Sequence, residues 1–254
     1  METLTVDNCI ARSAFTYHVK FLSLTRFQML NHSKALVLDF GGVVTRTLFE
    51  THDLSEKALG LPPGTLTWRG PFDPDSDPLW QSMQADEISE RDYWRIRTQE
   101  VAALVGKSWT EMSDFVKAAR GADPGSVMRP EALNAIEFVR NAGGKLAILS
   151  NELDLFYGAE FRNRLPFMKH FDVIVDATYT NIRRPDPRAY SACCEALRLA
   201  PQDCVFVDDQ LRNIRGGEAS GMQCVHFDVK HPQRSFSKAL LKLGLTEQTE
   251  RIRQ

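Results

Sequence analysis

Short, almost wholly apolar runs recur along the chain and stop on polar residues. Ala35-Leu36-Val37-Leu38 ends at Asp39-Phe40-Gly41-Gly42, and Lys145 to Leu149 ends at Ser150-Asn151. Phe171 to Val175 ends at Asp176, Cys204 to Val207 ends at Asp208-Asp209, and Gln223 to Phe227 closes the series. Runs of this length without strict alternation suit strands covered on both faces of a parallel sheet. Helical periods separate most of them. Pro130 to Asn141 places Ala132, Ala135, Ile136 and Val139 on one face, with Pro at the start and Gly143-Gly144 beyond the end. Pro187 to Leu199 reads the same way, and Leu211 to Ala219 more weakly across Gly216-Gly217. Strand and helix in alternation imply right-handed crossovers in a Rossmann-like, doubly wound α/β sheet, which binds ligands at the carboxyl ends of its strands. The polar stops fall at those ends.

One interval breaks the alternation. Residues 46–129 contain no strand-like run and carry helical patterns such as Ser89 to Val105 and Trp109 to Arg120. Ser89 followed by Arg91-Asp92 marks a helix start, with Ile88 as a staple residue. Leu61 to Gly64 and Pro71 to Asp75 read as loop. All four tryptophans lie here; Trp80 and Tyr93-Trp94 have the spacing of packing residues, whereas Trp68, Phe72 and His52 sit in less regular sequence and could look onto a site. The organisation expected is an N-terminal extension (1–33), a core built from 34–45 and 130–243, a helical insertion after the first strand (46–129) and a polar tail (244–254). The extension is poor in acids and mixes Arg12, Lys20 and Arg26 with Phe15, Phe21 and Leu22, which reads as a docking helix or upstream extension ahead of a weak targeting segment.

Composition narrows the function classes. With 254 residues, 43% of them hydrophobic, the chain can bury a full core. Lys and Arg number 31 against 33 Asp and Glu, for a net charge of -2, which leaves no electrostatic footprint for nucleic acid or an anionic membrane. Five cysteines without a CxxC pair argue against a zinc cluster or disulfide framework and for a reducing cytoplasm. No apolar run reaches the roughly 18 residues of a membrane span. A small anionic substrate remains, because its site needs only local positive charge.

The strand ends supply that site's parts. Asp39 before Gly41-Gly42 can expose a carboxylate while backbone N–H groups, Phe40 and Gly41 among them, face an anion. Ser150 and Asn151 offer a hydroxyl and N–H donors, and Arg184 in Arg183-Arg184-Pro185-Asp186-Pro187 brings a fixed charge with bidentate geometry. Ser150-Asn151 could also cap the helix beginning near Glu152, and Asp208-Asp209 could cap the next one. Asp208 and Asp209 would repel Asp39, and a hard divalent cation, usually Mg²⁺, would resolve the repulsion. Together these parts suit phosphoryl transfer to an aspartate.

Leu38-Asp39-Phe40-Gly41-Gly42-Val43, Leu149-Ser150-Asn151, Arg184-Pro185-Asp186-Pro187 and Val207-Asp208-Asp209, in that order, resemble the motifs of the haloacid dehalogenase-like hydrolases. The resemblance covers Lys34 to Leu243 and places 46–129 where that family carries a helical cap. It implies Asp39 as nucleophile through an aspartyl-phosphate, Ser150 and the Asn151 backbone as holders of the transferring group, and Arg184 where the family usually has Lys. It also implies Mg²⁺ held by Asp39, the Gly41 carbonyl and Asp209 with Asp208 beside it.

Gly41 departs from that pattern: phosphatases of the family usually have a second Asp there, a general acid and base of a kind worth about 10²–10⁴ in rate. A substitute could come from the cap or from Glu152, Asp154 or His52. Otherwise aryl phosphates, with good leaving groups, should be cleaved far better than alkyl phosphates. The function expected is Mg²⁺-dependent hydrolysis of a small phosphomonoester. The rivals are a metal-independent 2-haloacid dehalogenase and a phosphometabolite-binding protein without turnover.

Overall fold

The structure, a computed structural model, describes residues 33–120 and 123–245. Almost all of the N-terminal extension and most of the C-terminal tail therefore lie outside the described residues. The apolar runs form β1 (Ala35–Leu38), β2 (Lys145–Ser150), β3 (Val173–Asp176), β4 (Cys204–Asp208) and β5 (Gln223–His226). Between β1 and β2 come α1 (His52–Leu59), α2 (Pro78–Gln84), α3 (Glu90–Leu104), α4 (Met112–Arg120) and α5 (Pro130–Asn141). After β2 follow α6 (Leu153–Tyr157) and α7 (Ala159–Asn163), after β3 α8 (Ala177–Thr180) and α9 (Pro187–Leu197), after β4 α10 (Leu211–Ala219), and after β5 α11 (Pro232–Leu243).

All strand pairs are parallel, in the order β3-β2-β1-β4-β5. Alternate residues feed two apolar layers. Leu36, Leu38, Leu146, Ile148, Val205 and Val207 pack with Ala135 and Ile136 of α5 and Phe236 of α11. Ala35, Val37, Ala147, Leu149, Cys204 and Phe206 pack with Tyr190 of α9 and Ile214 of α10. Each fully buried aliphatic side chain contributes about 1.5–3 kcal/mol, so the register is held from both faces. Order reverses at β1 and β4, and the crevice beyond their carboxyl ends is where open α/β sheets bind ligands.

Some boundaries differ from expectation: β3 begins at Val173 and α4 at Met112, not at Phe171 and Trp109. Helix α9 stops at Leu197, not Leu199, because Arg198 turns left-handed (φ 56°) and its N–H closes on the Cys194 and Glu195 carbonyls. Gly216-Gly217 does not weaken α10 but lets it lie on its neighbours: a Cβ at 216 would stand 2.6 Å from the Tyr190 hydroxyl, and one at 217 would stand 2.8 Å from Cys224 Sγ.

The helical segment leaves and rejoins the core through two adjacent stretches, with Arg46 N donating to the Val127 carbonyl (2.7 Å) and Arg129 N to the Val44 carbonyl (2.9 Å). Ser89 caps α3 in a reciprocal box with Asp92. Fully buried Asp77 caps α2 through Trp80 N and also takes Gly70 N, the Tyr93 hydroxyl and the Arg97 guanidinium. Around that hub Phe49, Trp68, Trp80, Tyr93 and Trp94 form an aromatic core, with ring pairs at 5.0–6.2 Å.

Candidate active site

Asp39 continues the β1 ladder by one bond, its N–H donating to the Val207 carbonyl at 2.9 Å. The chain then turns through Gly41 and Gly42. Gly42 has φ +80°, and a Cβ there would come 2.6 Å from Asp209 Oδ2, so glycine allows both the turn and the approach of Asp209. Ladder register brings Asp208, the residue after Val207, alongside Asp39, and Ser150 lies at the end of β2 on the other side.

Arg184 ties the cluster together. Its Nη2 donates to Asp39 Oδ1 at 2.9 Å and its Nη1 to Asp208 Oδ2. Asn151 orients it: the amide oxygen accepts from Arg184 N (2.7 Å) and Nε (3.3 Å), and the amide nitrogen donates to the Arg184 carbonyl (3.2 Å). Asn151 thus serves the site through its side chain, a role the sequence reading omitted. Asp208 is fully buried and also receives Gln210 N and the Asn213 amide. The Phe40 N–H, expected to face an anion, is held by Asp39 Oδ1 at 2.7 Å, and the Phe40 ring is core. Capping at α6 also differs: Asp176 accepts from Leu153 N and Asp154 N, in place of Ser150 or Asn151.

The electrostatics favour a further cation. Asp39, Asp208 and Asp209 each present a carboxylate oxygen within 4.8 Å of the others. Burial pushes the Asp39 carboxyl up to about 7, with Arg184 opposing and Asp208 adding to the rise. Burial, then Asp208 and Asp39, raise Asp209 well above the usual carboxylate range. Burial works against the Arg184 charge, but Asp39 and Asp208 outweigh it and its pKa is raised. Arg184 and Asn213 answer Asp208. Among the described residues nothing donates a hydrogen bond or ion pair to the Asp209 carboxylate, so three acids face one guanidinium. A hard divalent cation on the Asp39, Asp208 and Asp209 carboxylates fits that donor set.

These residues open onto a cavity of about 290 Å³ shared with the helical segment. Asp39, Gly41, Ser150, Asn151, Arg184 and Asp209 line it from the sheet side. From the other side come Phe49, Trp80, Trp94, Met112, Glu90 and Arg120. Trp80 and Trp94, read as packing alone, both pack and line the cavity; Trp68, Phe72 and His52 do not line it. His52 is turned into the aromatic core, with its ring 4.3 Å from Trp68. Of the substitute acids, Asp154 is held by Arg162 and the Tyr179 hydroxyl away from the cavity, whereas Glu152 lines it but is paired with Arg91 and Arg183. Arg183, read as solvent-facing, is exposed and reaches Glu152 at 3.6 Å. Glu90, Arg91, Arg120, Tyr157 and Arg212 went unnoticed in the sequence. None lies in a motif, and nothing in their spacing separates them from surface residues.

A parallel α/β sheet with a carboxylate cluster and a guanidinium at its switch point defines a hydrolase-like centre. Comparison with known proteins agrees: residues 33–221 match the haloacid dehalogenase-like hydrolases. Acyl-CoA dehydrogenase family member 10 of Mus musculus is 32% identical over 117 residues, 46% of this chain and 11% of that protein. Phosphatase MT3486 of Mycobacterium tuberculosis is 30% identical over 99 residues, 39% of this chain and 46% of that one. The similarity thus spans about a tenth of the first relative and under half of the second. (S)-2-haloacid dehalogenase 1 of a Pseudomonas species is 26% identical over 181 residues, 68% of this chain and 79% of that one. A crystal structure of a dehalogenase shares the fold, with TM-score 0.55 at 19% identity over 79% of this chain and 87% of its own. The chain belongs to the haloacid dehalogenase-like hydrolase family.

Proposed function

We propose that this protein is a cytoplasmic Mg²⁺-dependent phosphatase that cleaves a small phosphomonoester through an aspartyl-phosphate on Asp39. The observation that carries the reading is the Asp209 carboxylate, crowded by Asp208 and Asp39 and left without a donor among the described residues. A metal-free mechanism has no use for that charge. Relatives named as a phosphatase and a phosphoglycolate phosphatase support the substrate class. Bound at Asp39, Asp209 and the Gly41 carbonyl, Mg²⁺ would supply positive charge to the nucleophile and the transferring group.

This chain's own residues do the rest. Asp39 attacks phosphorus in line, Ser150 and the Asn151 backbone hold the transferring oxygens, and Arg184, kept on Asp39 by Asn151, balances charge at the nucleophile. The helical segment closes the far side of the cavity and keeps bulk water from the intermediate. Acid-quenched protein mixed with substrate should carry a phosphoryl group on the peptide containing Asp39, detected by mass spectrometry, and Asp39→Asn should abolish it.

One observation favours a second reading. Arg184 pairs with both Asp39 and Asp208 without a metal, as in a metal-independent 2-haloacid dehalogenase, and two of the relatives are named as haloacid dehalogenases. Halide release in chelator would establish it.

A further inference from the structure

Departure of an alkoxide from phosphorus needs a proton, and Gly41 has none to give. This inference rests on the phosphatase reading and concerns where that proton comes from. Of the hydroxyls lining the cavity, Thr47 donates to Glu50 (2.9 Å), Ser89 donates to Asp92 (2.6 Å), and Ser150 belongs to the phosphate side. The carboxylates Glu90 and Glu152 are held by Arg212 and by Arg91 with Arg183. The fourth hydroxyl is that of Tyr157, at the end of α6, which packs against α4.

Tyr157 is built into the place that the glycine leaves open. A Cβ on Gly41 would stand 3.7 Å from its hydroxyl oxygen. The ring is fixed by Phe40 and Phe161, with centroids at 5.3 and 4.6 Å. The oxygen receives Arg120 Nη1 at 3.4 Å and lies 3.3 Å from the Thr45 hydroxyl, which accepts from Gly42 N at 3.4 Å. Arg120 donates to the oxygen and the Thr45 hydroxyl can donate as well, an arrangement that lets the phenolic proton point into the cavity.

Arg120 is the second observation. It is 5% exposed and lines the cavity, yet no carboxylate pairs with it among the described residues, and its Nε has no partner. Its other hydrogen bonds go to the Arg46 carbonyl (3.1 Å) and the Thr51 hydroxyl (3.3 Å), and its guanidinium lies 5.9 Å from the centre of the Tyr157 ring. A buried guanidinium with only neutral partners is costly, and negative charge developing on the adjacent phenolic oxygen would offset that cost.

We propose that Tyr157 is the proton donor to the leaving oxygen and that Arg120 stabilises the phenolate that results. In the first step the Asp39 oxygen bonds to phosphorus, the bond from phosphorus to the leaving oxygen breaks, and that oxygen takes the phenolic proton. In the second, water attacks phosphorus and gives a proton to the Tyr157 phenolate. Asp39 leaves as carboxylate, and inorganic phosphate departs.

The test is the leaving-group dependence of kcat/KM for p-nitrophenyl phosphate and for an alkyl phosphate, measured with Mg²⁺ on the full chain. Tyr157→Phe keeps the ring and should lose about 10²-fold or more on the alkyl ester while changing the aryl ester only a few-fold. Arg120→Met should show the same selectivity, more weakly. The ratio of the two rates within one sample cancels any loss of folded protein. Equal losses on both esters, no loss on either, or selective alkyl loss in Glu90→Gln instead would overturn the assignment while leaving the phosphatase reading intact. Absence of turnover by the unmodified protein would overturn that reading, and this assignment with it.

Discussion

The two walls of the cavity are built on different principles. On the sheet side, ladder register delivers Asp39, Ser150 and Asp208 to one edge, and the charges they bring are crowded: Asp39, Asp208 and Asp209 against Arg184. On the helical side the charges are paired off, Glu90 with Arg212, Glu152 with Arg91 and Asp77 with Arg97, with Arg120 as the exception, around a core of edge-on and tilted aromatics. The first wall is strained toward a ligand and, Arg120 apart, the second is satisfied in itself. Chemistry should therefore be concentrated in the first, and sensitivity of stability to single polar substitutions in the second.

The largest expected effect is that of Asp39→Asn, which should lower kcat by about 10⁴-fold or more with little change in unfolding free energy. Substantial residual turnover would remove the distinction between the walls. Next comes Asp77→Ala on the helical side. Deleting a carboxylate that is 0% exposed and serves four donors leaves the Tyr93 hydroxyl unmatched and Arg97 with Glu100 alone, at a cost of about 3–5 kcal/mol. Denaturant unfolding should show that loss, and hydrogen exchange should localise it to 46–129. A uniform loss over the sheet would contradict the comparison.

Asp209→Asn sharpens the contrast from the other direction. It should weaken the Mg²⁺ requirement's half-saturation by about 10–100-fold, yet raise the melting temperature of the metal-free protein because a crowded negative charge is removed. A fall in both would show that Asp209 is a structural acceptor. The smallest effect concerns pH. Burial and Arg69 hold His52 down at about 4, against an unfolded value near 6.5. The unfolded state then binds the extra proton, so stability present above about 6.5 is lost progressively as pH falls toward 4. Urea melts at successive pH values should show the decline, and His52→Leu should flatten it.

The same contrast explains what could be read in advance. Leu36, Leu38 and Val207 announce buried parallel strands by composition alone, and a residue following such a run must appear at the sheet edge, so Asp39, Ser150 and Asp208 were legible. Pro130 to Asn141 carried its own start and stop signals and forms α5 with those bounds. Helices that pack on one another have no comparable register. Trp94 faces the cavity while Trp68 turns inward because of how α2 and α3 stack around Asp77, and a single chain's spacing does not encode that. Tyr157 was invisible for a related reason: its significance lies in its distance to Gly41, across 116 positions of sequence.

The central claim is that the unmatched carboxylate of Asp209 marks a cation site serving phosphoryl transfer at Asp39. Its most direct measurement pairs phosphate release from p-nitrophenyl phosphate with halide release from a 2-haloacid, each in Mg²⁺ and in chelator. The account predicts phosphate release that appears with Mg²⁺ and vanishes in chelator, with no halide in either. Halide release that persists in chelator, without phosphate release, would contradict it.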